Sequence, residues 1–205
     1  MYKNPIIICE GIEASGKSTN IRIISNYLDK INRKYIKIRE PGGSKYSEII
    51  REFVLNKKSN LNFKTDLLLM LASRSENIDK LFKKYYGKKI ILIDRFVDST
   101  IAYQHYGMGI NLNLINKIND FVVGKFKVNL TLLSIVNKKN MKKRLNSRAN
   151  KNRYDKFNYS FYNRVQKGYI KISKRKRNYL VIDSNKNNIK ECSKIIINKI
   201  NSLIF

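Results

Sequence analysis

The chain has no tryptophan, one histidine, two cysteines, two prolines and only 15 acidic residues among 205. Each shortage excludes something. Cys9 and Cys192 make no disulfide framework. One sits in an apolar run and the other in a helical pattern, so both are expected as free thiols of a reducing, cytoplasmic compartment. With His105 alone there is no Ser–His–Asp arrangement, and no Cys/His cluster has metal-ligand spacing. Long hydrophobic runs are also missing. The stretches 6–9, 67–72 and 90–93 fall far short of the roughly 18–20 apolar residues a membrane helix needs. The opening stretch 1–10 is too brief for a signal peptide and runs straight into a motif.

What is present is a core and a charge. Forty-two per cent of residues are hydrophobic, which excludes wholesale disorder, and the length suits one α/β domain with a small lid. The formal net charge is +28. Taken alone, that points to nucleic acid or another polyanion. However, 31 lysines, 26 asparagines and 30 isoleucines are residues of A/T-rich codons, so coding bias contributes. The charge is also uneven. Residues 1–137 hold 23 basic and 12 acidic groups, and residues 138–205 hold 20 and 3. A polyanion hypothesis therefore starts in the last third.

Periodicity alternates between short apolar runs and longer helical stretches. Strands are expected at 5–9, 35–38, 89–93, 128–135 and 179–182. Helices are expected at 17–31, 45–55, 63–86, 98–106, 111–123, 138–147, 158–177 and 186–202. This alternation predicts a parallel sheet covered by helices on both faces. The polar stretch 148–156 is the one candidate for a mobile segment.

Gly11, Ile12, Glu13, Ala14, Ser15, Gly16, Lys17 and Ser18 fit G-x-x-x-x-G-K-[ST] without a mismatch, followed by Thr19. The motif follows a predicted strand and opens a predicted helix. Its glycines let backbone amides approach phosphate oxygens, and the helix N-terminus favours an anion. Lys17 can reach the β- and γ-phosphates of a nucleoside triphosphate, and the Ser18 hydroxyl can join a Mg²⁺ shell. A ligand-free glycine turn is the alternative. The loop alone covers hydrolases, motors and kinases alike.

Three further clusters lie where a parallel sheet opens its crevice, beyond the carboxyl ends of the strands. Arg39-Glu-Pro-Gly-Gly43 follows the second strand; a plain turn is the other reading. Asp94 and Arg95 end the third strand, followed by Ser99, Thr100, Tyr103 and Gln104. Asp94 could hold Mg²⁺, and Arg95 could hold a phosphate bidentately, unless they are an ordinary surface pair. Arg74 closes the apolar helix around Met70. By itself it reads as a solvated arginine at a helix end.

Together these segments resemble the thymidylate kinases, from residue 6 to about residue 169. The carriers are the stretch 10–19, Arg39-Glu-Pro-Gly-Gly43, the stretches 94–99 and 102–104, and Arg164-Val-Gln-Lys-Gly-Tyr169. The resemblance implies a three-layer P-loop kinase fold. Five parallel strands would lie between helices, in a single domain over 1–205, with acceptor helices at about 40–110 and a lid at 148–156. It implies phosphorylation of dTMP by ATP with Mg²⁺, for dTTP synthesis, by a homodimer. Glu13 would meet the sugar 3′-hydroxyl. Arg39 and Arg95 would grip the acceptor phosphate. Arg74 would hydrogen-bond the thymine carbonyl. Ser99, Thr100, Tyr103 and Gln104 would read base and sugar, with Tyr103 blocking a ribose 2′-hydroxyl. Arg148 or Arg153 of the lid would meet the transferring phosphate, because Ala14 leaves the P-loop without a basic residue at that point.

Several positions depart from the family pattern. Met70 stands where a phenylalanine usually stacks on thymine. Asn152-Arg153 replaces Asp-Arg, so a local lid carboxylate is expected to be absent. His105-Tyr-Gly-Met108 replaces small residues and an arginine, with His105 expected in a loop. The stretch 133–136 lacks an aspartate often seen there. A kinase of another deoxynucleotide therefore stays open. So does a basic nucleic-acid-binding protein, although the lysines at 139, 142 and 143 look like a solvated helix face. No signature of a DNA or RNA module is present, and no specific nucleic-acid partner is expected.

Overall fold

The computed structural model describes residues 2–149 and 151–205. Met1 and Asn150, one of the nine residues of the expected lid, lie outside the described residues.

Five strands form one parallel sheet: β1 (Ile6–Glu10), β2 (Tyr35–Arg39), β3 (Ile90–Asp94), β4 (Leu130–Ile135) and β5 (Tyr179–Asp183). Their order is β2-β3-β1-β4-β5. Near-continuous apolar sequence is what a strand buried on both faces requires. In β1, Ile7 and Cys9 enter a core with Ile24 and Leu28 of α1 (Lys17–Lys30). Ile6 and Ile8 enter the opposite core with Phe82 and Phe96. The register places Cys9 beside Asp94, and Asp94 beside Arg39. The ends of β1, β2 and β3 therefore meet at one edge of the sheet.

The expected helix over 63–86 is continuous but not uniform. Helix α3 (Phe63–Asn77) widens into a π-helical turn (Ile78–Phe82) before α4 (Lys83–Tyr85). A second π-helical turn (Ile101–Gly107) follows α5 (Val97–Thr100). It places His105 in helical structure rather than a loop, its Nδ1 paired with the Ile110 carbonyl at 2.8 Å. The remaining helices are α2 (Lys45–Leu55), α6 (Leu112–Val123), α7 (Lys138–Asn146), α8 (Tyr159–Lys174) and α9 (Ile189–Ile204). Helix α8 packs closely on the second π-helical turn. A Cβ at Gly168 would lie 2.5 Å from the Tyr106 ring, so only glycine permits that approach.

Asparagine starts most of the longer helices. Asn62, Asn111, Asn137, Asn158 and Asn188 are the N-caps of α3, α6, α7, α8 and α9. Each side chain accepts from a backbone N–H in the first turn, where no carbonyl can serve. Among the described residues no helix is long and apolar enough to cross a membrane.

Candidate active site

Between β1 and α1 the chain turns sharply around Gly11 and Gly16, at φ +138° and +104°. A Cβ on Gly11 would lie 2.4 Å from the Ser134 carbonyl oxygen. Glycine is therefore required there by space as well as by conformation. Helix α1 has no side-chain cap, so its first amides stay available to an anion. Lys17 folds back over the loop, and its Nζ donates to the Ile12 carbonyl at 3.0 Å. Burial, with Arg95 nearby, pulls its pKa down to about 8, against the opposite pull of Asp94, Glu13 and Glu10.

A cavity of about 470 Å³ opens from this loop. Glu13, Lys17, Ser18, Met70, Arg74, Asp94, Arg95, Ser99, Thr100, Tyr103 and Gln104 all line it. Arg95, at φ +69°, turns its guanidinium inward. It donates to the Gly11 carbonyl at 3.0 Å and to Glu13 Oε1 at 2.8 Å, and lies over the Tyr103 ring. The Tyr103 hydroxyl donates to the other Glu13 oxygen at 2.5 Å. Burial pushes the Glu13 pKa up, but Arg95 and Lys17 outweigh it and hold the carboxyl below its ordinary range.

Glu10, fully buried, holds the Arg95 loop from beneath. It accepts from the backbone amides of Phe96 (2.9 Å) and Ser99 (3.2 Å), the Ser99 hydroxyl (2.6 Å) and the Tyr169 hydroxyl (3.0 Å). Burial, and then Asp98, raise its pKa to about 7.

On the far wall Arg74 is buried, not solvated. It donates to Glu40 at 2.7 Å, Thr100 Oγ1 at 3.0 Å and Asn119 Oδ1 at 2.5 Å. Arg39 also lines the cavity, but it is half exposed and pairs with Glu48 at 2.7 Å. Arg51 donates to the Pro41 carbonyl at 2.6 Å beside it. Asp94 Oδ1 is buried without a partner. That orphaned oxygen and the Ser18 hydroxyl are hard donors in one cavity, which suits Mg²⁺ completed by water and phosphate oxygens. No group of three or more His, Cys, Asp or Glu forms a metal cage among the described residues.

A second cavity, about 760 Å³, lies on the other side of the loop. Residues 14–20, Arg144, Ser184, Asn187 and Asn188 border it. Arg144 donates to the Ala14 carbonyl at 3.0 Å and to Ser184 Oγ at 3.1 Å, so it ties the loop to the end of β5.

These features invite comparison with known proteins. The thymidylate kinase family model matches residues 9–196. The chain belongs to the thymidylate kinase family. The thymidylate kinase of Ehrlichia ruminantium is 38% identical over 205 residues, covering 96% of this chain and 98% of that one. That of Kosmotoga olearia is 36% identical over 176 residues, covering 85% of each. The crystal structure of thymidylate kinase from Ehrlichia chaffeensis superposes with a TM-score of 0.77 at 31% identity, over 97% of this chain and 98% of that one. The expected three-layer P-loop kinase architecture and the enzyme class, a nucleoside monophosphate kinase, both hold.

Within this thymidylate kinase framework the expected site residues do not all share one place. Arg148 borders the cavity and donates to Asp155 at 2.9 Å. Arg153 does not line the cavity. Its guanidinium donates to the Val54 carbonyl and pairs with Asp66. A carboxylate is present in the stretch 148–156 after all. Asp155, nearly buried, accepts from Arg148 and from the Asn152 amide, which closes a capping box. Sequence reasoning assigned no role to Glu10, Arg51, Arg144 or Tyr169. A helical spacing signal existed for two of them. Arg144 lies three residues after buried Met141, and Arg51 lies four after buried Ser47.

Proposed function

We propose that the protein transfers the γ-phosphoryl group of ATP to dTMP, giving dTDP and ADP. The carrying observation is one cavity bordered both by Lys17 and Ser18 of the phosphate loop and by Arg39, Arg74, Arg95, Tyr103 and Gln104. Donor and acceptor phosphates can thus meet in a single space.

Phosphoryl transfer asks for alignment and charge neutralisation more than for an acid or base. The amides of residues 11–19 and the Lys17 ammonium cradle the donor phosphates. Arg95, held in place by Glu13 and Gly11, presents its fork to the acceptor phosphate, with Arg39 at the rim. Glu13 accepts from the sugar 3′-hydroxyl. Tyr103, packed between Arg95 and Glu13, takes the space of a ribose 2′-hydroxyl. Arg74 donates to the thymine carbonyl while Met70 packs on the ring. Ser99 and Thr100 reach the nucleotide from the same turn. Arg148 closes on the transferring phosphate. Arg153, committed to Asp66, braces the lid. The donor nucleoside lies toward Arg144 and Ser184. Ser18 and Asp94 are the residues that would hold Mg²⁺. When bound, the metal neutralises charge on the donor phosphates.

Our reading takes residues 1–205 as one kinase domain, with its acceptor wall at about 40–110 and its lid at 148–156. It works as a homodimer in a reducing cytoplasm, where Cys9 and Cys192 stay free. A coupled ADP-release assay with dTMP, dUMP, dGMP and dCMP tests the substrate. The highest kcat/KM is expected with dTMP, and preference for another acceptor would overturn the reading.

A further inference from the structure

Beyond its pairing with Arg153, Asp66 carries no role in the mechanism above, yet it is completely buried beside the acceptor wall. It lies one turn before Met70 and two turns before Arg74. Positions i, i+4 and i+8 share one helix face, and the latter two residues line the cavity. Its carboxylate has three partners. One oxygen takes the Arg153 guanidinium. The other accepts from the Tyr154 hydroxyl at 2.6 Å and from Gln104 Nε2 at 3.1 Å.

The third contact has a chemical consequence. A carboxylate paired with a guanidinium has no hydrogen to give, so it can only accept. The Gln104 amide must therefore turn its NH₂ toward Asp66 and its carbonyl oxygen away. No donor among the described residues reaches that carbonyl oxygen, and Gln104 lines the cavity. An acceptor therefore faces the base. Thymine and uracil carry a hydrogen on N3 and can donate to it. Cytosine carries a lone pair on N3 and is repelled.

We propose that Asp66 is a positioning residue: by fixing the Gln104 amide with its carbonyl oxygen toward the acceptor base, it selects pyrimidines with a hydrogen on N3. This rests on the dTMP reading and names the group that sets its base specificity. Asp66 also makes the choice depend on the lid, because Arg153 and Tyr154 saturate the same carboxylate.

Steady-state kinetics with dTMP, dUMP and dCMP test it. For Asp66→Asn, the dTMP:dCMP ratio of kcat/KM is expected to fall about tenfold or more, chiefly through KM for dTMP, because an amide at 66 can hydrogen-bond Gln104 in either orientation. The dTMP:dUMP ratio should not move, since these bases share N3–H and differ only in a methyl group. Asp66→Glu keeps an acceptor-only carboxylate and should retain more of the dTMP:dCMP ratio than Asp66→Asn. Unchanged ratios in Asp66→Asn would overturn the proposal. So would a parallel fall of both, which marks a loosened pocket. If the buried Arg153 left unpaired prevents folding, the double variant Asp66→Asn/Arg153→Gln removes that charge and carries the same test. Wild-type enzyme that fails to use dTMP would instead defeat the substrate reading itself.

Discussion

Six of the 12 arginines border the main cavity, but only one of the 31 lysines does. A planar guanidinium offers a fixed fork that matches two phosphate oxygens, whereas an ammonium is a strongly hydrated point charge. The fold thus sorts one net charge into a small set of aimed arginines and a large set of solvated lysines. Arg95 is the best aimed, held at φ +69° by Glu13 and the Gly11 carbonyl. Arg95→Ala is expected to cut kcat/KM for dTMP by about 10²–10³-fold, the usual loss when a preorganised charge donor is removed. The near-ultraviolet circular dichroism of the folded enzyme should be preserved. Near-normal turnover would remove the residue from the mechanism. Lys17, the lone lysine of the cavity, makes a pH prediction. Burial and Arg95 lower its pKa to about 8, so the free enzyme loses the ammonium above that pH. Because kcat/KM for ATP reports the free enzyme, it should decline above pH 8, while the kcat limb lies higher since bound phosphates favour the charged form. A kcat/KM profile flat to about pH 9.5 would contradict this, since an ammonium already lost at that pH cannot sustain ATP capture.

At the scale of elements, asparagine connects composition to architecture. An excess explicable by codon bias nonetheless supplies the N-caps of five helices and of the lid turn Arg153–Lys156. Asn188 is the clearest test. Its side chain accepts from the Glu191 amide at 3.0 Å, and Glu191 accepts from the Asn188 amide at 2.8 Å. Asn188→Ala should cost about 1 kcal/mol, read as a lower denaturant midpoint at unchanged slope, with Asn188→Asp close to wild type. No change on Asn188→Ala would mean that α9 is fixed by its packing on α1 and the sheet alone. Strands and helices were legible in the sequence because apolar spacing marks buried faces, and all five strands fall where the runs 5–9, 35–38, 89–93, 128–135 and 179–182 put them, within two residues. The phosphate loop was legible for the same local reason: strand, glycines and helix are contiguous. What stayed hidden depends on partners distant in sequence. Arg153 carries the same local signature as a catalytic lid arginine, and only the approach of α3, 87 residues away, commits it to Asp66. Glu10 looks like motif punctuation until Phe96, Ser99 and Tyr169 fold over it. Asp155 supplies the carboxylate of the expected lid stretch through a capping turn, three residues after the position where one was expected.

For the whole molecule, +28 opposes self-association, and a dimer must place its contact where charge is least. Helices α3 and α6 meet this condition. Residues 63–77 hold two basic and two acidic residues, and residues 112–123 hold one of each. The two helices pack on one another through Leu67, Leu71 and Ile115. They leave Leu68, Leu114 and Phe121 outside, the last 87% exposed. A large aromatic so exposed on a charge-poor face needs a cover, and in the homodimer proposed above a second copy would supply one. Phe121→Glu should therefore convert a species of twice 24.1 kDa into one of 24.1 kDa in sedimentation equilibrium at micromolar concentration. Salt separates apolar burial from ion pairing as the force at this face. Screening weakens repulsion between two positive bodies but leaves apolar burial intact, so the wild-type dimer should tighten as ionic strength rises. A dimer that loosens with salt would be held by ion pairs instead. A wild-type protein monomeric at every concentration and salt would remove this face from consideration.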